Sequence, residues 1–242
     1  MLYVVATPIG NLSDLTFRAV EALRSCDYIL CEDSRHSSIL LRHYDIQKPL
    51  KSFHKFSESS KQEGVIQDLK EGLTIALISD AGTPGISDPG EKLIQACVMN
   101  HIQVVPIPGA CAAIAALSCS GLTTTRFQFV GFLPRKTGEL KRMLQELLAY
   151  TGTSICYESP NRLLDVLHLL KELDSQRQLV IARELTKKFE ANMKAAGKNL
   201  TVKSYDADHG FANPSNPMGH FNEAAYKDAY KNTIEFFKAK LK

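Results

Sequence analysis

The sequence predicts an α/β protein whose first part is an open parallel sheet. Three observations carry this. Short runs rich in β-branched residues alternate five times with segments of helical spacing over residues 1–120. That pattern belongs to a parallel sheet covered by helices on both faces. Gly- and Pro-containing turns follow several of the strand runs, at the ends where such sheets bind ligands. A smaller α/β unit then starts near Gly121.

In chain order, strands are expected at 2–6, 28–31, 50–53, 74–78 and 103–107. Helices are expected at 17–23, 38–43, 65–69 and 92–99, with one more after Gly109. The second unit has strand runs at 127–132, 154–157 and 179–182, and helices at 140–148 and 163–170. Asp165, Lys171 and Glu172 should face water on the last helix. Composition shifts near residue 191. Ten arginines precede it and none follow, while six asparagines fall in the last 52 residues against three in the first 190. Residues 1–190 are neutral, so the net charge of +3 comes from 191–242. The expected organisation is a domain over 1–120, a second, incomplete one over 121–190, and a tail over 191–242.

Composition excludes several classes. The 242 residues are 44% hydrophobic and 23% charged, close to the globular average. No apolar run approaches the ~20 residues of a membrane span. Met1 leads straight into strand-like Leu2, Tyr3 and Val4, with no secretory pattern, so a cytoplasmic protein without membrane contact is expected. Six scattered cysteines without a C-x-x-C pair suit reduced thiols and argue against a zinc ribbon or thioredoxin-type site. A charge of +3 neither requires nor excludes a nucleic-acid partner.

The most informative loop runs from Ser79-Asp80-Ala81-Gly82-Thr83-Pro84-Gly85 through Ile86-Ser87-Asp88-Pro89 to Gly90. Asp88 is placed to cap the next helix and Pro89 to open its first turn. Gly82 and Gly85 permit positive φ and close backbone approach to a ligand. The loop is neither a P-loop nor G-x-G-x-x-G, and on residues alone a plain strand-to-helix turn stays open beside ligand binding. Two more turns, 7–12 and 106–113, would border the same crevice; tight helix–sheet packing also explains their small residues. Polar clusters sit at other strand ends: Glu32, Asp33, Arg35 and His36; His54 and Lys55; Tyr157 and Glu158; Arg183 and Glu184. A carboxylate, an arginine and a histidine together suit proton transfer or phosphate contact. Phe132 with Arg135 and Lys136 suits a nucleic-acid backbone, or a solvated loop.

Together, segments 7–12, 31–36, 79–90, 106–113, 131–136, 157–163 and 182–187 resemble successive motifs of the ribosomal RNA small-subunit methyltransferase I (RsmI) family, of the tetrapyrrole-methylase fold class. The resemblance covers roughly residues 1–190. It implies methyl transfer from S-adenosylmethionine to a cytidine ribose 2′-hydroxyl in 16S ribosomal RNA of the small subunit. It also implies two α/β domains, the second a smaller mixed sheet, with the cofactor between them, commonly a homodimer, and no metal. Carried onto this chain, it places Pro8, Asp80, Gly82, Thr83, Ile86, Asp88, Ala110 and Ala112 around the cofactor. Tyr157 and Glu158 would face it from the second domain, and Arg35, Arg135 and Lys136 would meet RNA phosphate. A ribose hydroxyl is a weak nucleophile, so a base helps. Glu32, Asp33, His36 and Glu158 are the candidates, and the sequence does not choose among them.

From about residue 189 that pattern is lost. The remainder, with Asp208-His209-Gly210-Phe211 and a helix expected over 223–241, resembles the end of the dienelactone hydrolase family, an α/β-hydrolase with a Cys-Asp-His triad. The junction suggests a fusion of two families, in which residues 200–205 supply the strand missing from the second domain. Two alternatives follow: a folded scaffold without activity, and a hydrolase using Cys111 and His209. Gly109-Ala110-Cys111-Ala112-Ala113 imitates a nucleophile elbow, with Ala in place of its last Gly.

Overall fold

Strands β1 (Leu2–Val5), β2 (Tyr28–Cys31), β3 (Leu50–Ser52), β4 (Ile75–Ile78) and β5 (Val104–Ile107) form one sheet in the order β3-β2-β4-β1-β5. Every pairing in it is parallel. This computed structural model describes residues 1–54, 58–186 and 202–204. The chain divides into two compact units, Met1–Tyr205 and Asp206–Lys242, and all described residues lie in the first. Val5 is level with both Ile78 and Ile107. The loops after β1, β4 and β5 therefore leave the sheet side by side, which builds the site.

Alternation along the strands sends successive side chains to opposite faces. Val5, Ile29 and Ile78 pack with Ala19, Leu23, Leu40 and Leu41 of α1 (Phe17–Ser25) and α2 (Ser34–His43). Leu30, Ile75 and Leu77 pack with Val65, Leu69, Leu93 and Cys97 of α3 (Glu58–Lys70) and α4 (Glu91–Met99). The fifth helix, α5 (Ala112–Ser120), follows β5.

Several helix starts precede the sequence expectation, α3 by seven residues, and the caps of two are informative. Helix α2 begins at Ser34 rather than 38, because the Asp33 carboxylate caps it by accepting the Arg35 amide at 2.9 Å. Helix α4 begins at Glu91, with Gly90 at the cap and no side-chain cap bond, so Asp88 is not its cap. Gly90 sits at φ +123°, and a Cβ there would lie 2.6 Å from Leu77 Cδ2. The loop thus reaches the core through glycine, and Asp88 is left on the site side.

The second region contains β6 (Phe127–Phe132), α6 (Thr137–Ala149), β7 (Thr153–Tyr157) and α7 (Leu163–Leu173). Strands β6 and β7 pair in parallel, as a helical crossover between them requires. Leu133, Leu140, Leu144 and Val166 form its core, while Asp165, Lys171 and Glu172 are exposed. The described residues of this region hold two parallel strand pairs. The other joins β8 (Ile181–Arg183) to β9 (Val202–Ser204), with Ala182 opposite Lys203. The strand expected over 200–205 is thus present in part and pairs with β8. The loop at 208–211, His209 and the helix expected over 223–241 lie outside the described residues. Among the described residues no helix is long and apolar enough to cross a membrane.

Candidate active site at the strand ends

Three loops meet at the carboxyl edge of the sheet. Thr7 and Gly82 form an antiparallel bridge, with the Thr7 amide donating to the Gly82 carbonyl at 2.8 Å and the Gly82 amide returning to Thr7 at 3.0 Å. The Thr7 hydroxyl, 2% exposed, donates to the Ser79 carbonyl at 3.0 Å. Thr83 donates to the Ala110 carbonyl at 3.1 Å. Loops 7–12, 79–90 and 106–113 are thereby fastened to one another. Gly82 holds φ +83°, a conformation that favours glycine. At Gly109 a Cβ would lie 3.0 Å from the Ala6 Cβ, so only a bare backbone lets these loops approach closely.

Three carboxylates face this junction. The Asp80 Oδ1 accepts the Asp33 amide at 3.2 Å, which ties the loop after β2 to the loop after β4. Burial, with the negative charges of Glu32 and Asp80, pushes the Asp88 carboxyl up to about 7. His36 shares a small cleft with Thr7, Pro8, Ser37 and Asp80. Pro8, Asp80, Gly82, Thr83 and Ala110 lie on these fastened loops, and Glu32 and Asp88 are near them. Ile86 is 44% exposed on the rim of the same loop.

The second region supplies a wall. Gly131, at φ +67°, lies where the β6–β7 register shifts, and a Cβ on it would stand 3.2 Å from the Ser87 hydroxyl. Tyr157, at the end of β7, is edge-on to Phe129 at 4.9 Å and to Phe132 at 5.5 Å. Burial pushes its hydroxyl up to about 12, with the nearby Cys111 and Asp88 adding to this and the Ala113 amide opposing it. Tyr157 therefore stands beside the start of α5, within the field of Asp88.

Two of the candidate bases are held by arginines. Asp33 is paired with Arg35 through two bonds, 3.2 and 2.9 Å, and these bonds hold its carboxyl below the usual range. Arg35 itself is 78% exposed. Glu158, 8% exposed, is paired with Arg162 at 3.1 Å and accepts the Ser159 amide at 2.7 Å. Arg135 and Lys136 are exposed on the loop after β6, with Lys136 paired to Glu139 at 3.2 Å. Cys111 has φ −141° and ψ 115°, an extended backbone without the strained turn of a nucleophile elbow. The single-residue reading of the sequence missed Thr7 and Arg162. Thr7 is legible only through its bonds to residues 72 and 75 positions away. Arg162 is four residues after Glu158, but both precede α7, so the helical i,i+4 rule gave no signal for the pair. Among the described residues no group of three or more His, Cys, Asp or Glu is arranged to hold a metal ion.

Comparison with known proteins gives two matches along the chain. The family model for Tetrapyrrole (Corrin/Porphyrin) Methylases matches residues 1–200, and that for the Dienelactone hydrolase family matches 172–241. The second match begins earlier than the compositional break, and the two overlap across β8. Ribosomal RNA small subunit methyltransferase I of Haemophilus influenzae is 49% identical over 201 residues, 83% of this chain and 71% of that protein. The enzymes of the same name from Buchnera aphidicola and Synechocystis are 48% and 50% identical over 191 residues, 78% of this chain and 67% and 68% of theirs. A crystal structure of diphthine synthase shares the fold, with a TM-score of 0.56 over 73% of each chain at 13% identity. With the family model matched over residues 1–200 and about half of the aligned residues in common with these enzymes, the chain belongs to the tetrapyrrole methylase family, within its ribosomal RNA small subunit methyltransferase I group, and carries a dienelactone-hydrolase-like tail.

Proposed function

We propose that the chain transfers methyl from S-adenosylmethionine to the ribose 2′-hydroxyl of a cytidine in 16S ribosomal RNA, acting as a cytoplasmic homodimer on the small subunit. The observation that carries the reading is the fastening of three backbone-rich loops around Asp80 and Asp88, in a chain about half identical to enzymes of that name. The residues present fit such a cofactor. Glu32, Asp80 and Asp88 gather carboxylates at one place, where burial and the first two raise the Asp88 carboxyl, a charge complementary to a sulfonium and an ammonium group. Bound there, S-adenosylmethionine supplies an activated methyl group on a positively charged sulfur.

The chain's own residues then align and prepare the nucleophile, mostly a positioning task. Pro8, Gly82, Thr83, Ile86, Ala110 and Ala112 offer backbone and small apolar surface to the cofactor, with Asp80 and Asp88 toward its positive end. Tyr157 closes the pocket from the second region. Arg35, Arg135 and Lys136 meet RNA phosphates. Since arginines occupy Asp33 and Glu158, we assign acceptance of the ribose proton to Glu32 or His36, both beside the Asp80 loop. Alanine at each of the four positions tests this: unchanged turnover in all four would exclude a side-chain base.

The deciding experiment is calorimetric titration of the purified chain with S-adenosylmethionine, with thermal melting alongside, then transfer of labelled methyl to small ribosomal subunits. Binding with a rise in melting temperature is expected from linkage. A folded protein that does not bind would favour the second reading, a scaffold that has lost its activity. The observation behind that reading is the dienelactone-hydrolase match at 172–241, which begins inside the methylase match and runs past its end at residue 200. A hydrolase using Cys111 and His209 has least support, given the unstrained backbone at Cys111.

A further inference from the structure

The geometry points to Arg162 as the positioning residue that aims the cationic loop, Arg135 and Lys136, at RNA. This rests on the RNA reading above. The guanidinium stands just before α7 and reaches across to the loop after β6. Its Nη1 donates to the Leu133 carbonyl at 3.2 Å and its Nη2 to the Pro134 carbonyl at 2.5 Å. The same group pairs with Glu158, whose carboxylate also accepts the Ser159 amide. From the other side, the Leu133 amide donates to the Tyr157 carbonyl at 3.3 Å.

Two successive carbonyls held by one planar fork fix the direction in which the backbone leaves Pro134. Arg135 and Lys136 are the next two residues. Arg162 is only 26% exposed and Glu158 8%, so these charge-assisted bonds are partly shielded from water and strong for their kind. A lysine could supply the charge but not the fork. The clamp also joins two functions. Tyr157, the cofactor-side wall, bonds Leu133 directly, and its neighbour Glu158 and the carbonyls of Leu133 and Pro134 share Arg162, so a shift in one is felt by the other.

The test is fluorescence anisotropy of the full chain with a labelled single-stranded RNA containing cytidine, titrated across salt concentration. The proteins are the parent, Arg162→Lys, Arg162→Met, the pair Arg135→Ala with Lys136→Ala, and that pair combined with Arg162→Met. Both Arg162 variants should bind about tenfold more weakly, with a salt slope reduced by up to about 1.4, two single-strand phosphate contacts. In the background lacking both cations, Arg162→Met should change nothing further, which a general loss of stability would not reproduce. Arg162→Lys keeps the charge and the stem, so it carries the test if Arg162→Met fails to fold. Parent-like binding by Arg162→Lys, or losses that add in the combined variant, would overturn this inference alone. No binding by the parent would overturn the RNA reading and this inference with it.

Discussion

Thr7 and Gly82 are 75 residues apart and exchange both of their backbone hydrogen bonds, at 2.8 and 3.0 Å. The bridge continues the β1–β4 neighbourhood beyond the sheet, and it turns two separate loops into one rigid edge. The Thr7 hydroxyl seals it by donating to Ser79, while Gly82 supplies the φ of +83° that the turn needs.

Thr7→Val keeps the shape and removes that hydroxyl. It leaves the buried Ser79 carbonyl without this donor, a loss of about 1–2 kcal/mol. Thermal melting should fall by roughly 2–4 °C per kcal/mol for a chain of this size. S-adenosylmethionine affinity should fall further than stability alone explains, because the loop edge is the proposed binding surface. Parent-like melting and affinity together would show that the bridge does not depend on the hydroxyl.

Asp88 sets a pH dependence whose sign is fixed. Its folded value of about 7 lies above the model-peptide 3.8. Between those values the folded chain keeps a proton that the unfolded chain has lost. The contribution is therefore complete below 3.8 and is lost as pH rises through 7. Asp88→Asn mimics the protonated form, so it should melt above the parent at about pH 8, with the difference shrinking towards about pH 5. Cofactor affinity should run the opposite way in the parent, rising through pH 7 as the carboxylate ionises, and should be weak in Asp88→Asn throughout. A melting difference that does not vary with pH would contradict the burial and charge account of this residue.

Asp33 looked like a base in a polar cluster, and its position shows why sequence could not tell. It is the cap of α2 and the partner of Arg35. Asp33→Ala should cost about 1 kcal/mol in urea unfolding, and Asp33→Asn much less, since asparagine caps as well. Methyl transfer by Asp33→Asn should stay within severalfold of the parent. A general base contributes about 10²–10⁴, so a loss of that size in Asp33→Asn would return the role to Asp33.

The same residue marks the limit of what the sequence told. The five strands of the main sheet were legible because Tyr28–Cys31 and Ile75–Ile78 are short, wholly apolar runs of the kind a doubly covered parallel strand needs. Helix starts were less legible: Asp33 and Asp88 are both acidic residues before a helix, yet only the first caps. At α4 the cap position falls on Gly90, at φ +123° and with no side-chain cap bond, two residues beyond Asp88. The identities of the site loops could be read, but their fastening could not. Thr83 with Ala110 and Asp80 with Asp33 are long-range bonds that no local pattern encodes.

The β8–β9 pair carries the last prediction. β9 lies at Val202–Ser204, past the end of the methylase match at residue 200 and inside the hydrolase match, and it runs parallel to β8 with Ile181 opposite Val202. If the tail completes the second region in this way, amides at 181–183 and 202–204 should exchange slowly together, as one cooperative unit. Lys203→Pro removes a backbone donor and constrains φ inside β9, which should break the pairing. Exchange at 181–183 should then accelerate, and limited proteolysis near 191–200, slow in the parent, should become fast. Unchanged exchange at 181–183 in Lys203→Pro, or rapid cutting near 191–200 in the parent with the rest intact, would reject strand replacement. The hydrolase-like tail would then be an appendage that leaves the second region's sheet unfinished beside the proposed cofactor pocket.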